Sequence, residues 1–232
     1  MKKNLIRGAL VAALMGSALS AHALTLNLTG YAQGSEAVGV TAPISSNVSA
    51  GAFIGSLSGA PGFNANPFMT YCVELTQNFS FGSPLPNYSI ANGLAYFTLS
   101  AGAPAAAAIV SRLGKLFTYL GGVGLPANSQ TAAAIQVAVW ESIYEGAANF
   151  NINPMSTTGT FQATAANAGV LTLAASLLTS AAAVTTSMYS ISVLENSNAQ
   201  DFLLIQQVPT PGTLALAALA LSGLALVRRR QA

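Results

Sequence analysis

Charge is what this chain most lacks. Only 6% of its 232 residues are Asp, Glu, Lys or Arg, against about 25% in an ordinary soluble domain. It holds one cysteine, one histidine and one tryptophan, and Asp201 is its only aspartate. A single cysteine excludes an internal disulfide framework. One histidine (His22) and one aspartate leave no means of building a Ser-His-Asp triad or a histidine-based zinc site. Gly55-Ser56-Leu57-Ser58-Gly59 has Leu57 where a nucleophile elbow needs its serine, and Gly121-Gly122-Val123-Gly124 lacks the lysine of a phosphate loop. No cofactor or metal motif is expected, and a turnover enzyme is disfavoured for want of catalytic groups.

Hydrophobic residues make up 52% of the chain, and the mean hydropathy is +0.54. That balance suggests a membrane protein until the charges are located. Six of the eight basic residues lie at the ends: Lys2, Lys3 and Arg7, then Arg228, Arg229 and Arg230. Between them, Arg112 and Lys115 face six acids, so the middle carries a net charge of −4. A nucleic-acid partner needs a basic face to meet its phosphates, so none is expected.

Residues 1–23 read as a secretory signal, with a basic start, an apolar stretch from Gly8 to Leu19, and the small-x-small sequence Ala21-His22-Ala23 that signal peptidase accepts. Cleavage after Ala23 is expected. At the other end, Val208-Pro209-Thr210-Pro211 precedes an uncharged run from Leu214 to Val227 and then the three arginines. Prolines keep the chain extended ahead of the run, and an arginine cluster is held on the cytoplasmic side. Residues 208–232 resemble the PEP-CTERM sorting tail of Gram-negative bacteria, with Val208, Pro209 and Pro211 as the motif and Arg228, Arg229 and Arg230 as the basic stop. Thr210 stands where that family commonly has Glu. The resemblance implies transient anchoring in the inner membrane, processing by an exosortase-type enzyme, and delivery to the cell surface or to an exopolysaccharide matrix.

The body, residues 24–207, is long enough for one domain with a substantial core. Its first part reads as strands: Leu24–Leu28, Glu36–Thr41, Val48–Leu57, Phe68–Leu75, Asn78–Phe81 and Tyr88–Ile90. Alternation in the fourth puts Phe68, Thr70, Cys72 and Glu74 on one face. Helices are expected from Pro104 to Leu120, from an N-cap at Ser129 to Glu145, and from Phe161 to Thr179. Strands return at Ser187–Leu194 and Asp201–Gln206. Strands, then helices, then strands predict a single α+β domain. Glu141 and Glu145, at i and i+4, read as a solvated helix edge. Tyr31, Phe53, Phe63 and Tyr88 read as core aromatics rather than as a sugar-stacking platform.

Two residues are chemically odd. Cys72 is an unpaired thiol in a chain addressed to an oxidising compartment. Gln136 lies among Ala, Ile and Val in a helix whose first three turns are almost wholly apolar, and a buried carboxamide left unpaired costs roughly 1–3 kcal/mol. A thiolate can attack such a carboxamide, expel ammonia and leave an internal thioester, which is itself an acylating agent. Tyr71-Cys72-Val73-Glu74-Leu75 and Ile135-Gln136-Val137-Ala138-Val139-Trp140 together resemble the bacterial thioester domains of surface adhesins. That resemblance implies Cys72 as the thiol, Gln136 as the acyl donor, Tyr71, Ala138 and Trp140 as packing positions, and covalent attachment to an amine or hydroxyl on a surface protein or polysaccharide. Ile135 departs from the Thr usual before the Gln.

Overall fold

The structure is a computed structural model that describes residues 23–59, 65–101, 103–146 and 153–208. Nearly all of the expected signal and sorting tail lies outside the described residues: Ala21, Pro209, Pro211, Arg228, Arg229 and Arg230, and also Phe63. Ala23 is exposed at the first described position, and the backbone N–H of Val208 donates to the Met188 carbonyl at 2.8 Å. Among the described residues no helix is long and apolar enough to cross a membrane.

The described chain is a mixed α and β body. In order it runs β1 (Leu24–Tyr31), β2 (Glu36–Ala42), β3 (Ser46–Ala50), β4 (Phe53–Ser58), β5 (Ala65–Thr70), β6 (Leu85–Asn92), α1 (Gly93–Ala101), α2 (Ala103–Leu120), α3 (Ser129–Tyr144), β7 (Gln162–Ala165), α4 (Ala168–Ala182), β8 (Tyr189–Glu195) and β9 (Phe202–Gln207). Strands at both ends of the body flank a helical middle, as the sequence leads one to expect.

Six strands form an antiparallel sheet in the order β5-β4-β1-β6-β8-β9, and β3-β2-β7 form a second one. In β1, Leu24, Leu26 and Leu28 are fully buried while Thr25 and Asn27 are half-buried. Each such leucine contributes about 1.5–3 kcal/mol by leaving water. The large sheet is closed by the segment after β5. There Cys72 bridges Phe202 of β9, the opposite edge strand, and just before it the hydroxyl of Thr70, the last residue of β5, donates to the Leu203 carbonyl at 2.6 Å. Closure removes the exposed edge from a stretch that would otherwise offer unpaired backbone groups.

Helix α3 is the central element. It is buried continuously from Ala132 to Ser142 and packs against α2, α4, β2 and β3. Four alanines on it (Ala132, Ala133, Ala134 and Ala138) let neighbouring backbones approach closely.

Several boundaries differ from those read in the sequence. The span 48–57 is two strands in different sheets, because the chain turns at Gly51 and Ala52 to pass from β3 to β4. Residues 68–75 are not one strand: β5 ends at Thr70, and Tyr71 to Val73 leave β4 to pair with β9. Alternation therefore stops there, and Tyr71 and Val73 are buried as deeply as Thr70. Asn78–Phe81 is loop. Asn92-Gly93, a turn signal in the sequence, instead starts helix α1, with the Asn92 side chain accepting from the Leu94 and Ala95 N–H groups at 3.0 and 3.4 Å. Asn128, not Ser129, caps α3, taking the Thr131 N–H at 2.9 Å, while the Ser129 hydroxyl donates to Glu36 at 2.6 Å. The last helix begins at Ala168 after a short strand, capped by Asn167.

Candidate functional site

Cys72 and Gln136 come together. The Cys72 N–H donates to Oε1 of Gln136 at 2.8 Å, and Nε2 of Gln136 donates to the Cys72 carbonyl at 3.0 Å. Sheet geometry explains why these backbone groups are free to do so. Toward β9 the ladder bonds are made by the neighbours: Val73 N–H to the Asp201 carbonyl at 3.0 Å, and Leu203 N–H to the Tyr71 carbonyl at 3.0 Å. Cys72 and Phe202 thus form a non-hydrogen-bonded antiparallel pair, and the N–H and C=O of Cys72 point away from β9. The Gln136 carboxamide meets them as a one-residue strand would. Gln136 is fully buried, and both ends of its amide are satisfied.

This pairing has chemical content. The Cys72 N–H at Oε1 is a donor already aimed at the oxygen that gathers charge when the carbonyl is attacked. Against this, burial pushes the Cys72 thiol well above its ordinary range, and the nearby Glu74 carboxylate adds to the shift. The resting group is a thiol, and making it a nucleophile requires a base.

The remaining motif residues support the pair. Trp140 lies one turn beyond Gln136 on the same face of α3, and it lines a cleft together with Cys72. Its indole Nε1 has no hydrogen-bond partner. Ala138 is fully buried and its carbonyl accepts from the Ser142 hydroxyl at 2.7 Å. Tyr71 is buried with its ring 5.9 Å from that of Phe117.

The cleft has a volume of about 410 Å³. One wall is aromatic: Tyr31, Phe53, Phe79 and Phe81 meet with ring centroids 5.1–6.0 Å apart. Phe53 and Tyr88 are core, as expected, but Tyr31 is half-buried and faces the cleft. The rim is neutral and polar, from Ser46, Asn47, Ser49, Thr76, Gln77 and Asn78. Glu74 is the one ionisable carboxyl in the lining.

Glu74, given no role in the sequence reading, lines the cleft two residues beyond Cys72. Its Oε1 accepts from the Asp201 N–H at 3.2 Å, its Oε2 from the Thr76 hydroxyl at 3.4 Å, and its carbonyl from Gln200 Nε2 at 2.7 Å. Asp201 in turn takes the Tyr96 hydroxyl at 2.6 Å and the Asn196 N–H at 2.7 Å. Burial, and then the Asp201 charge, raise the Glu74 carboxyl; burial also raises Asp201, opposed by its bond from Tyr96.

Glu141 and Glu145 correct the expectation of a solvated edge. Both are buried, because the end of α3 is covered by Arg112 of α2 and by the segment around Phe161. Glu145 accepts the Phe161 N–H at 3.0 Å, and its carbonyl takes Arg112 Nη2 at 3.1 Å. Neither oxygen of Glu141 has a hydrogen-bond partner. Burial, with Glu145 adding and Arg112 opposing, lifts its pKa to about 8. Among the described residues no group of three or more His, Cys, Asp or Glu side chains could hold a metal ion. No family model, curated protein or solved structure matches the chain.

Proposed function

We propose that this chain is an exported surface or matrix protein that attaches covalently to its partner through an internal Cys72–Gln136 thioester. The observation that carries the reading is the two-bond grip of the Gln136 carboxamide on the backbone of Cys72, a residue that lines an open cleft. In this reading the thiol and the amide give a thioester and ammonia. An amine or hydroxyl entering the cleft then takes the acyl group, leaving a free thiol and an amide or ester bond to Gln136. The event is single-use, so the protein is an adhesin and not an enzyme. Its signal is removed by signal peptidase. Its C-terminal tail passes through the inner membrane and is processed by an exosortase-type enzyme, after which the body resides at the surface or in the matrix. A biotinylated primary amine should label Gln136 in the native chain and leave Cys72→Ala unlabelled; labelling of neither chain contradicts the proposal.

A second reading has its own support. The Gln136 carboxamide is fully satisfied by the Cys72 backbone, which accounts for its burial without any reaction. The body is then a non-covalent matrix-binding module, about 1 kcal/mol less stable but still binding as Cys72→Ala. Loss of matrix binding in that variant, with folding intact, removes this reading.

A further inference from the structure

We infer that Glu74 is the base that takes the Cys72 thiol proton and then hands it to the leaving group. The inference rests on the thioester reading for its chemistry, but its geometry stands apart from it. Cys72 and Glu74 both line the cleft, while Val73 between them is buried and does not line it. Residues two apart on an extended segment share a side at a spacing of about 6–7 Å. A glutamate side chain can close that distance directly or through one water in the open cleft. The carboxylate is held at the cleft wall: its two oxygens take the Asp201 N–H and the Thr76 hydroxyl, and Gln200 anchors its backbone carbonyl.

The charge setting suits the task. The groups coupled to Glu74 from the elements around it are Cys72, Asp201 at the start of β9, Tyr88 of β6, Tyr96 of α1 and Tyr144 of α3. All are acids, and neither Arg112 nor Lys115 lines the cleft. Burial and Asp201 make the Glu74 carboxylate more basic than an exposed one, which narrows the gap to a buried thiol.

The step balances as follows. Glu74 accepts the proton from Cys72 Sγ as the sulfur bonds to Cδ of Gln136. The C–N bond then breaks, Glu74 returns the proton to the departing NH2 group, and ammonia leaves. In the second half an incoming amine or hydroxyl loses its proton to Glu74, the C–S bond breaks, and the proton ends on Sγ.

The test uses the full-length chain and its Glu74→Gln and Glu74→Asp variants. Glutamine can keep the bond from the Asp201 N–H, so the fold should survive. With the free-thiol form, prepared by methylamine treatment where a thioester is present, alkylation of Cys72 by iodoacetamide is followed from pH 5 to 9. A base role predicts that Glu74→Gln slows alkylation at neutral pH by at least about tenfold and that Glu74→Asp restores part of it. Electrostatics alone predict the opposite sign, since removing a neighbouring negative charge eases thiol ionisation. Unchanged or faster alkylation in Glu74→Gln therefore overturns the inference. Intact mass of the untreated native chain reads the thioester separately. A chain that never loses ammonia, yet shows the Glu74-dependent slowing, would retain the base and lose the thioester.

Discussion

Helix α3 buries Gln136 near its middle and Glu141 toward its end, and the protein treats the two oppositely. Gln136 is met by a backbone N–H and C=O that have no other partner, so both ends of its amide are satisfied. One and a half turns on, Glu141 is equally buried and neither of its oxygens accepts a hydrogen bond. The first is a buried amide held by two hydrogen bonds at modest energetic cost. The second stores an electrostatic strain that pH can release. Burial of a polar group is therefore no sign of function by itself; the geometry of its partners separates a site from a tension.

The contrast is sharpest if the two residues are removed in turn. Gln136→Ala should cost roughly 2–5 kcal/mol in urea unfolding, because it strands the buried N–H and C=O of Cys72. A loss under 1 kcal/mol would show that the grip contributes little to the fold. Glu141→Gln should behave differently and should act through pH. A carboxyl whose folded pKa is about 8 binds its proton more tightly in the folded chain than in the unfolded one. Its stabilisation is complete below about pH 4 and is lost as the pH climbs through 8. The native Tm should thus fall between pH 5 and pH 8 by roughly 3–8 °C, and Glu141→Gln should flatten that slope. An equal slope in both proteins would place the strain elsewhere, with Glu74 and Asp201 the next groups to test.

Smaller effects probe what surrounds the grip. Tyr96→Phe removes the hydroxyl that donates to Asp201 and should cost about 1–2 kcal/mol. It should also raise the Asp201 carboxyl further, which an NMR titration would follow. Asn128→Ala removes the true cap of α3 and should cost about 1 kcal/mol in thermal unfolding.

The sequence makes the central helix legible because it is apolar all round, and the strands at each end because they alternate. It also marks Cys72 and Gln136 as odd, since each is a polar or reactive group with no local partner. Other features were hidden for physical reasons. The break after Thr70 depends on β9, more than 130 residues away, capturing Tyr71 and Val73; local alternation carries no trace of that. Helix α1 was masked by Asn92-Gly93, which serves equally as a hairpin turn and as a helix start. The burial of Glu141 and Glu145 reflects Arg112 of α2 and the Phe161 segment closing over the end of α3, and an i, i+4 pair of glutamates reads the same whether covered or exposed.

The most direct measurement is the intact mass of the native full-length chain beside Cys72→Ala and Gln136→Ala, under denaturing conditions with a thiol-alkylating reagent present. A thioester predicts a native chain lighter by one ammonia that resists alkylation, with Cys72→Ala at its full sequence mass and Gln136→Ala at its full sequence mass plus one alkyl group. A native chain at its full sequence mass, carrying one alkyl group on Cys72, would contradict it.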